Sequence, residues 1–180
     1  AAKSIAANAN SEGMIVVIKS TVPVGTTELV ARILSTCGRN NHCPPVVSNP
    51  EFLREGLAVF DFMNPSRVVI GTSDAKVGDA VAGLYAQLGS PIVLCDGRTA
   101  EMSKYAANVF LATKISFINE IGRLCDSCSV DVVEVARIVG MDPRCGKSYL
   151  NSGLGWGGSC LPKDVKGLLH MAKEYGVAMP

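Results

Sequence analysis

Residues 151–164 read NSGLGWGGSCLPKD, the densest concentration of chemically suggestive residues in the chain. Gly153, Gly155, Gly157 and Gly158 let the backbone approach a ligand closely and present its N–H groups, as suits phosphate oxygens or sugar hydroxyls. Cys160 follows at once, and Pro162 sits where a first helical turn would begin. A thiol at a helix N-terminus feels the positive end of the dipole, which favours the nucleophilic thiolate. Lys163 adds a nearby cation, and Asp164, four residues after Cys160, shares its face on a helix. A lone cysteine beside a Gly-rich loop can equally be structural. The four glycines, the cap site and the i+4 carboxylate favour the nucleophile.

Lys104 and Asn108 form a second i,i+4 pair. A lysine beside an amide donor suits stabilisation of a developing oxyanion, and a solvated helix surface is the competing expectation. Glu51 and Glu55, in the run NPEFLREG (49–56), are also four apart. They can act as base and hydrogen-bond acceptor at a strand end, or form the acidic first turn of a helix. Ser20 and Thr21 stand at another strand end, where their hydroxyls can face the same crevice. Cys125 and Cys128 make a C-x-x-C, but inside a helix and with no second pair to complete a zinc site. His42 and Cys43 read as loop residues, and His170 as a packed or surface histidine. Trp156 either packs on a ligand or staples its loop.

These residues need elements to carry them. Residues 1–11 read as the tail of a helix. Short β-branched or apolar runs at 14–19, 46–47, 67–70 and 92–94 read as buried strands. Helical stretches at 26–35 and 74–88 lie between them, which argues for βαβ units and a parallel sheet. From Thr99 to Cys128 there is no Pro and one Gly, and Met102, Ala106, Val109, Phe110, Phe117, Ile121 and Leu124 recur with a helical period. A helix of about 45 Å exceeds what one small sheet covers, so it is expected to link two modules or to pack against a partner chain. Further helices are expected over 130–139 and 162–175. The fold class is therefore α/β: the second half of a Rossmann-like parallel sheet domain (1–97), then a long connecting helix and an all-α module (98–180). No G-x-G-x-x-G turn occurs, and the first helix has no preceding strand, so the sequence reads as a piece of something longer.

Composition narrows the classes. The 180 residues are 48% hydrophobic and 18% charged with a net charge of +1, which describes a chain able to bury a sizeable core. No apolar run approaches the ~18 residues of a membrane span, and no basic block marks a nucleic-acid footprint. The chain opens on Ala1 without a charged n-region ahead of an apolar stretch, so no signal peptide is expected. Seven cysteines at irregular spacing suggest reduced thiols and a cytoplasmic location.

The runs KSTVPVGT (19–26), NPEFLREG (49–56), PSRVVIG (65–71), EMSKYAANVFLATKISFINEI (101–121) and GWGGSCLPKD (155–164) resemble the UDP-glucose 6-dehydrogenase family, within the wider nucleotide-sugar dehydrogenases. GDP-mannose dehydrogenases share GGSCLPKD, but the 104–120 helix is more similar to the UDP-glucose enzymes. The acetylated UDP-hexosamine dehydrogenases usually carry His where this chain has Ser159. The resemblance implies NAD-dependent oxidation of UDP-glucose to UDP-glucuronate, with Cys160 forming a thiohemiacetal and then a thioester. It implies oxyanion stabilisation by Lys104 and Asn108, a water held by Thr21 and Asp164, and thioester hydrolysis aided by Glu51. It places Ser20, Thr21, Glu55 and Lys163 at the cofactor. At the nucleotide sugar it places Glu51, Phe52, Leu53, Arg54, Glu55, Lys104 and Asn108, with Asn151, Ser152, Gly153, Leu154, Gly155, Trp156 and Gly157. Arg144 is implied to reach the substrate of a neighbouring subunit, and the helical module to form a homodimer. No metal, nucleic acid or membrane partner is implied. Such enzymes carry an N-terminal NAD fingerprint and a C-terminal UDP-binding domain outside the region matched. The alternatives are a truncated relative that dimerises or binds nucleotide sugar without turnover, a GDP-mannose dehydrogenase, and a thiol-redox protein using Cys125 and Cys128.

Overall fold

A computed structural model describes residues 1–8, 13–37 and 43–179. His42 and residues 9–11 of the first expected helix lie outside the described residues. The chain forms two compact units, Ala1–Lys104 and Tyr105–Pro180.

The first unit runs α1 (Ala2–Asn8), β1 (Val16–Ile18), α2 (Thr26–Cys37), β2 (Val46–Ser48), α3 (Ala58–Met63), β3 (Val68–Gly71), α4 (Ala75–Gly83) and β4 (Ile92–Cys95), and it ends within the opening turns of α5 (Gly97–Cys128). The strands form one sheet in the order β1-β2-β3-β4. Successive residues of β2 point to opposite faces, as a strand requires. Val46 joins Ala6 and Leu34 under α1 and α2, while Val47 joins Val68, Ile70 and Val81 under α4. Helices on both faces explain why these strands are apolar without alternation. Each buried Val, Ile or Leu contributes about 1.5–3 kcal/mol relative to exposure.

Three expectations are corrected here. The sheet is mixed, not wholly parallel: β1–β2 and β3–β4 are parallel, but β2 and β3 are antiparallel, with Ser48 opposite Gly71. The stagger brings the C-terminal ends of β2, β3 and β4 to one level, since Gly71 in turn faces Cys95. The last strand is not buried, because β4 is the outer strand in the sheet order and Val93 and Leu94 are exposed. The stretch read as one helix over 74–88 is α4, capped by Asp74 through the N–H groups of Lys76 and Val77, followed by a separate 3-10 turn at Ala86–Leu88. Helix α3 had no counterpart in the sequence reading; it is six residues long, too short to show a period.

The second unit holds the rest of α5, α6 (Val132–Met141) and α7 (Cys160–Glu174). At 32 residues, α5 is about 48 Å long. Its buried face is formed by Ala100, Glu101, Lys104, Tyr105, Asn108, Ala112, Ile118 and Cys125. The residues chosen for their apolar period lie elsewhere: Met102, Phe110, Phe117 and Leu124 are exposed. Hydropathy does not mark the buried stripe because that stripe contains Glu, Lys and Asn. Among the described residues, no helix is long and apolar enough to cross a membrane.

Candidate functional site

In the first unit the predicted residues gather where the parallel pair β1–β2 ends. Asn49, directly after β2, is fully buried; its Nδ2 donates to the Val69 carbonyl at 2.7 Å, and its Oδ1 accepts from Lys19 Nζ at 2.9 Å and the Tyr85 hydroxyl at 2.5 Å. This locks the chain leaving β2. Two residues on, Glu51 Oε1 lies 3.1 Å from Lys104 Nζ, and Glu51 Oε2 accepts the N–H of Leu53 at 2.7 Å. Lys104 is 4% exposed, which excludes the solvated-surface reading. Its ammonium stands 5.4 Å from the centre of the Phe52 ring, whose face is also covered by the Arg67 guanidinium at 3.8 Å. Burial lowers the pKa of Arg67.

Glu55 does not join this group. Residues 51–57 form a loop and turn instead of a helix, so Glu51 and Glu55 share no helical face, and Glu55 is exposed. Arg54 is tied to α3: its Nη2 meets Asp61 Oδ1 at 2.6 Å and its backbone N–H donates to Asp61 Oδ2 at 2.8 Å. The Arg54 guanidinium holds the Asp61 carboxyl below its ordinary range. Ser20 is exposed and Thr21 half-buried, with no hydrogen bond to either side chain among the described residues.

The sequence reading assigned no role to Glu101, yet it fixes the start of α5. Its buried carboxylate accepts from the N–H of Gly25 at 2.6 Å, the N–H of Thr27 at 2.7 Å and the Thr27 hydroxyl at 2.6 Å. These are the orphan donors at the start of α2, so the negative charge is compensated by hydrogen bonds and by the helix dipole. Gly71 marks the close approach of the same helix, because a Cβ there would lie 2.5 Å from the Ala100 Cβ. Glu101 gave no signal in the sequence, since its partners lie more than seventy residues away.

In the second unit, α7 begins at Cys160, two residues earlier than expected, with Ser159 as its cap residue but no side-chain cap bond. Cys160 is exposed in the first turn, its Sγ 3.7 Å from the Ser159 hydroxyl. One turn on, Asp164 is 1% exposed and accepts from Asn108 Nδ2 at 2.6 Å and from Lys163 Nζ. The predicted i,i+4 relation of Cys160 and Asp164 thus exists, and it pairs an accessible thiol with a sequestered carboxylate. The hydrogen bond that Lys163 donates to Asp164 raises the lysine's pKa, so that cation is committed to the carboxylate. Tyr105 packs against Gly167 of α7, where a Cβ would come 2.8 Å from the ring. Burial, and then Asp164, pushes the Tyr105 phenol up.

Between α6 and α7 the chain passes through Arg144 and the Gly-rich loop. Arg144 is exposed and chelates Asp142, whose carboxyl it holds below the usual range. Lys114 Nζ anchors that turn through the carbonyls of Cys145 at 2.9 Å and Gly146 at 3.2 Å. In the loop, Asn151, Ser152, Gly153, Leu154, Gly155 and Gly157 are exposed, and Trp156 donates from Nε1 to Ser116 Oγ at 2.8 Å, so the indole staples the loop. Gly155 and Gly158 adopt φ of +111° and +79°, where a side chain is strained. Gly153 and Gly157 have neither a positive φ nor any atom within 4 Å of an added Cβ. Among the described residues, neither place is one where packing or backbone conformation demands glycine.

The remaining features carry less. Cys125 is buried and its thiol is pushed up by burial, while Cys128 is exposed and donates from Sγ to the Leu124 carbonyl. His170 is an exposed helix residue facing Glu174 at 3.4 Å.

Comparison with known proteins gives the family. Residues 1–89 match the NAD binding domain, and residues 98–180 the central domain, of the UDP-glucose/GDP-mannose dehydrogenase family. The UDP-glucose 6-dehydrogenase TuaD of Bacillus subtilis is 47% identical over 176 residues, covering 98% of this chain and 38% of the relative. Among solved structures, a UDP-glucose dehydrogenase from Pyrobaculum islandicum superposes with a TM-score of 0.85 at 46% identity, over 91% of this chain and 38% of that one. A GDP-mannose dehydrogenase from Pseudomonas aeruginosa superposes with a TM-score of 0.73 at 36% identity, over 98% of this chain and 41% of that one. The chain spans about two fifths of the length of these proteins.

Proposed function

We propose that this chain, which belongs to the UDP-glucose/GDP-mannose dehydrogenase family, carries the reacting centre of an enzyme that oxidises the C6 alcohol of UDP-glucose to the carboxylate of UDP-glucuronate. UDP-glucose is favoured over GDP-mannose because the relatives bearing that name stand at 43–47% identity, against 36% for the GDP-mannose enzyme. The observation that carries the reading is an exposed thiol in the first turn of α7, one turn before a buried carboxylate bonded to an amide, after a loop with two glycines that face open space.

The chemistry follows from these groups. The alcohol is first oxidised to an aldehyde, its hydroxyl proton leaving through a water held by Thr21 and Asp164. Sγ of Cys160 adds to the aldehyde carbon, and the resulting thiohemiacetal oxygen is met by the Lys104 ammonium and the Asn108 amide. A second oxidation leaves a thioester on Cys160. Water, activated by Glu51, adds to the thioester carbon, the C–S bond breaks, and the acid departs as the thiol is restored. NAD, when bound, would supply a two-electron acceptor, one molecule for each of the two oxidations. Ser20 and Thr21, with hydroxyls uncommitted to the described residues at the end of a parallel strand pair, fit such a dinucleotide, and Glu55 and Lys163 are proposed to serve the same cofactor. Phe52, Leu53, Arg54 and the 151–157 loop line the nucleotide sugar, and Arg144 serves a neighbouring copy.

The division of labour is placed at residue 97, a cofactor half before and a helical half after, supported by the family matches over 1–89 and 98–180. The second half is read as a homodimer interface, supported by exposed Phe110, Phe117 and Leu124. They recur every seven residues, on roughly the opposite side of α5 from Asn108 and Asn119. A cytoplasmic setting is supported by the free cysteines among the described residues. The test is NAD reduction by the full-length enzyme with UDP-glucose. Turnover that disappears in Cys160→Ser is the expected result, and turnover that survives it overturns the mechanism.

A further inference from the structure

The Gly-rich loop has no secondary structure to hold it, so its shape depends on what it is tied to. Two ties come from α5. Asn119 Oδ1 accepts both the N–H of Gly153 at 2.8 Å and the hydroxyl of Ser152 at 3.3 Å, and Ser116 Oγ accepts Trp156 Nε1 at 2.8 Å. Less than one turn past Asn119, Gly122 admits the loop: a Cβ there would stand 2.6 Å from Ser152 Oγ. The two ties bracket the crest Leu154–Gly155, which stands fully in solvent. Without the tie at Asn119, the segment Gly153–Gly155 contains two glycines and is held only from its Trp156 side, and Gly is the residue with the widest conformational range.

We infer that Asn119 is a positioning residue that fixes the 152–156 crest in its ligand-receiving shape, with Ser116 as the second tie. The inference rests on the reading of this loop as part of the nucleotide-sugar site. Asn119 touches neither Cys160 nor Asp164, so its effect falls on affinity and not on the chemical step. When only a fraction of molecules holds the competent shape, apparent affinity drops by that fraction.

The experiment compares Asn119→Ala and Asn119→Asp with the wild type in the full-length enzyme, using UDP-glucose, together with amide hydrogen exchange over 152–156. The expected result for Asn119→Ala is a KM about tenfold higher with kcat within about twofold, the scale of two lost hydrogen bonds. Faster exchange of the Gly153 amide and an unchanged thermal midpoint accompany it. Asn119→Asp keeps the acceptor oxygen and returns KM to within about threefold of wild type. A wild-type KM in Asn119→Ala, or a fall confined to kcat, overturns the inference. If the wild type itself fails to reduce NAD with UDP-glucose, the functional reading fails, and the exchange measurement alone decides the tie: unchanged exchange at Gly153 in Asn119→Ala rejects it.

Discussion

The two polar groupings of this chain are built in opposite ways. At the strand ends of the first unit, Asn49, Glu101 and Lys104 are buried and each has named partners: Lys19, Tyr85 and Val69 for Asn49, Gly25 and Thr27 for Glu101, and Glu51 for Lys104. In the second unit, the loop from Asn151 to Ser159 and the thiol of Cys160 are exposed, and two of the glycines face open space. A buried charge must be paired before any ligand arrives, because leaving it unpaired costs several kcal/mol. The loop is instead held at a few points only, Ser152 and Gly153 on Asn119 and Trp156 on Ser116, with open space around its glycines. The first grouping is closed on partners within its own unit, and the second is left largely open to solvent.

Substitutions that separate the two modes test this contrast. The largest effect is expected for Cys160→Ser, which removes the nucleophile and lowers turnover by about three orders of magnitude or more; a residual rate near wild type would break the assignment. Lys104→Ala, which strips Glu51 of its partner, is expected to lower kcat by about 10²–10³-fold, and steady-state kinetics showing a change in KM alone would remove Lys104 from the chemical step. Gly71→Ala drives a methyl into Ala100 and the Asp96 carbonyl and should destabilise the fold by about 1–3 kcal/mol in denaturant titration. Gly153→Ala and Gly157→Ala should leave stability within about 0.5 kcal/mol while raising KM for the nucleotide sugar; a matching loss of stability would show that the fold does need those glycines. The smallest expected difference is kinetic. Cys160, exposed, should alkylate with iodoacetamide ahead of Cys125, whose burial raises its pKa and so lowers its thiolate fraction at neutral pH, and the lag of Cys125 should narrow as pH rises.

Much of this arrangement was legible in the sequence because it rests on local patterns. The Cys160–Asp164 spacing, the break at Asp96 and Gly97, and the long helix follow from residues within one or two turns of each other. The pairings that decide roles were not legible. Lys104 meets Glu51 across more than fifty residues, and Glu101 reaches Thr27 across more than seventy. The antiparallel pairing of β2 with β3 was missed for a related reason, since both strands are short apolar runs and neither carries its direction in its composition. The buried face of α5 was not legible because polar residues occupy it. Asn119 escaped notice because an amide on a helix surface has no signature until its loop is seen.

The length of α5 has a consequence for how such a chain can change. Asn108, Ser116 and Asn119 are read out along one rod at a rise of about 1.5 Å and a rotation of about 100° per residue. Inserting or deleting a single residue between Asn108 and Ser116 would swing both loop ties by more than a quarter-turn away from Gly153 and Trp156 while Asp164 kept its partner. Drift by substitution is open to this helix, whereas drift in its length is closed, and the segment acts as a fixed gauge between carboxylate and loop.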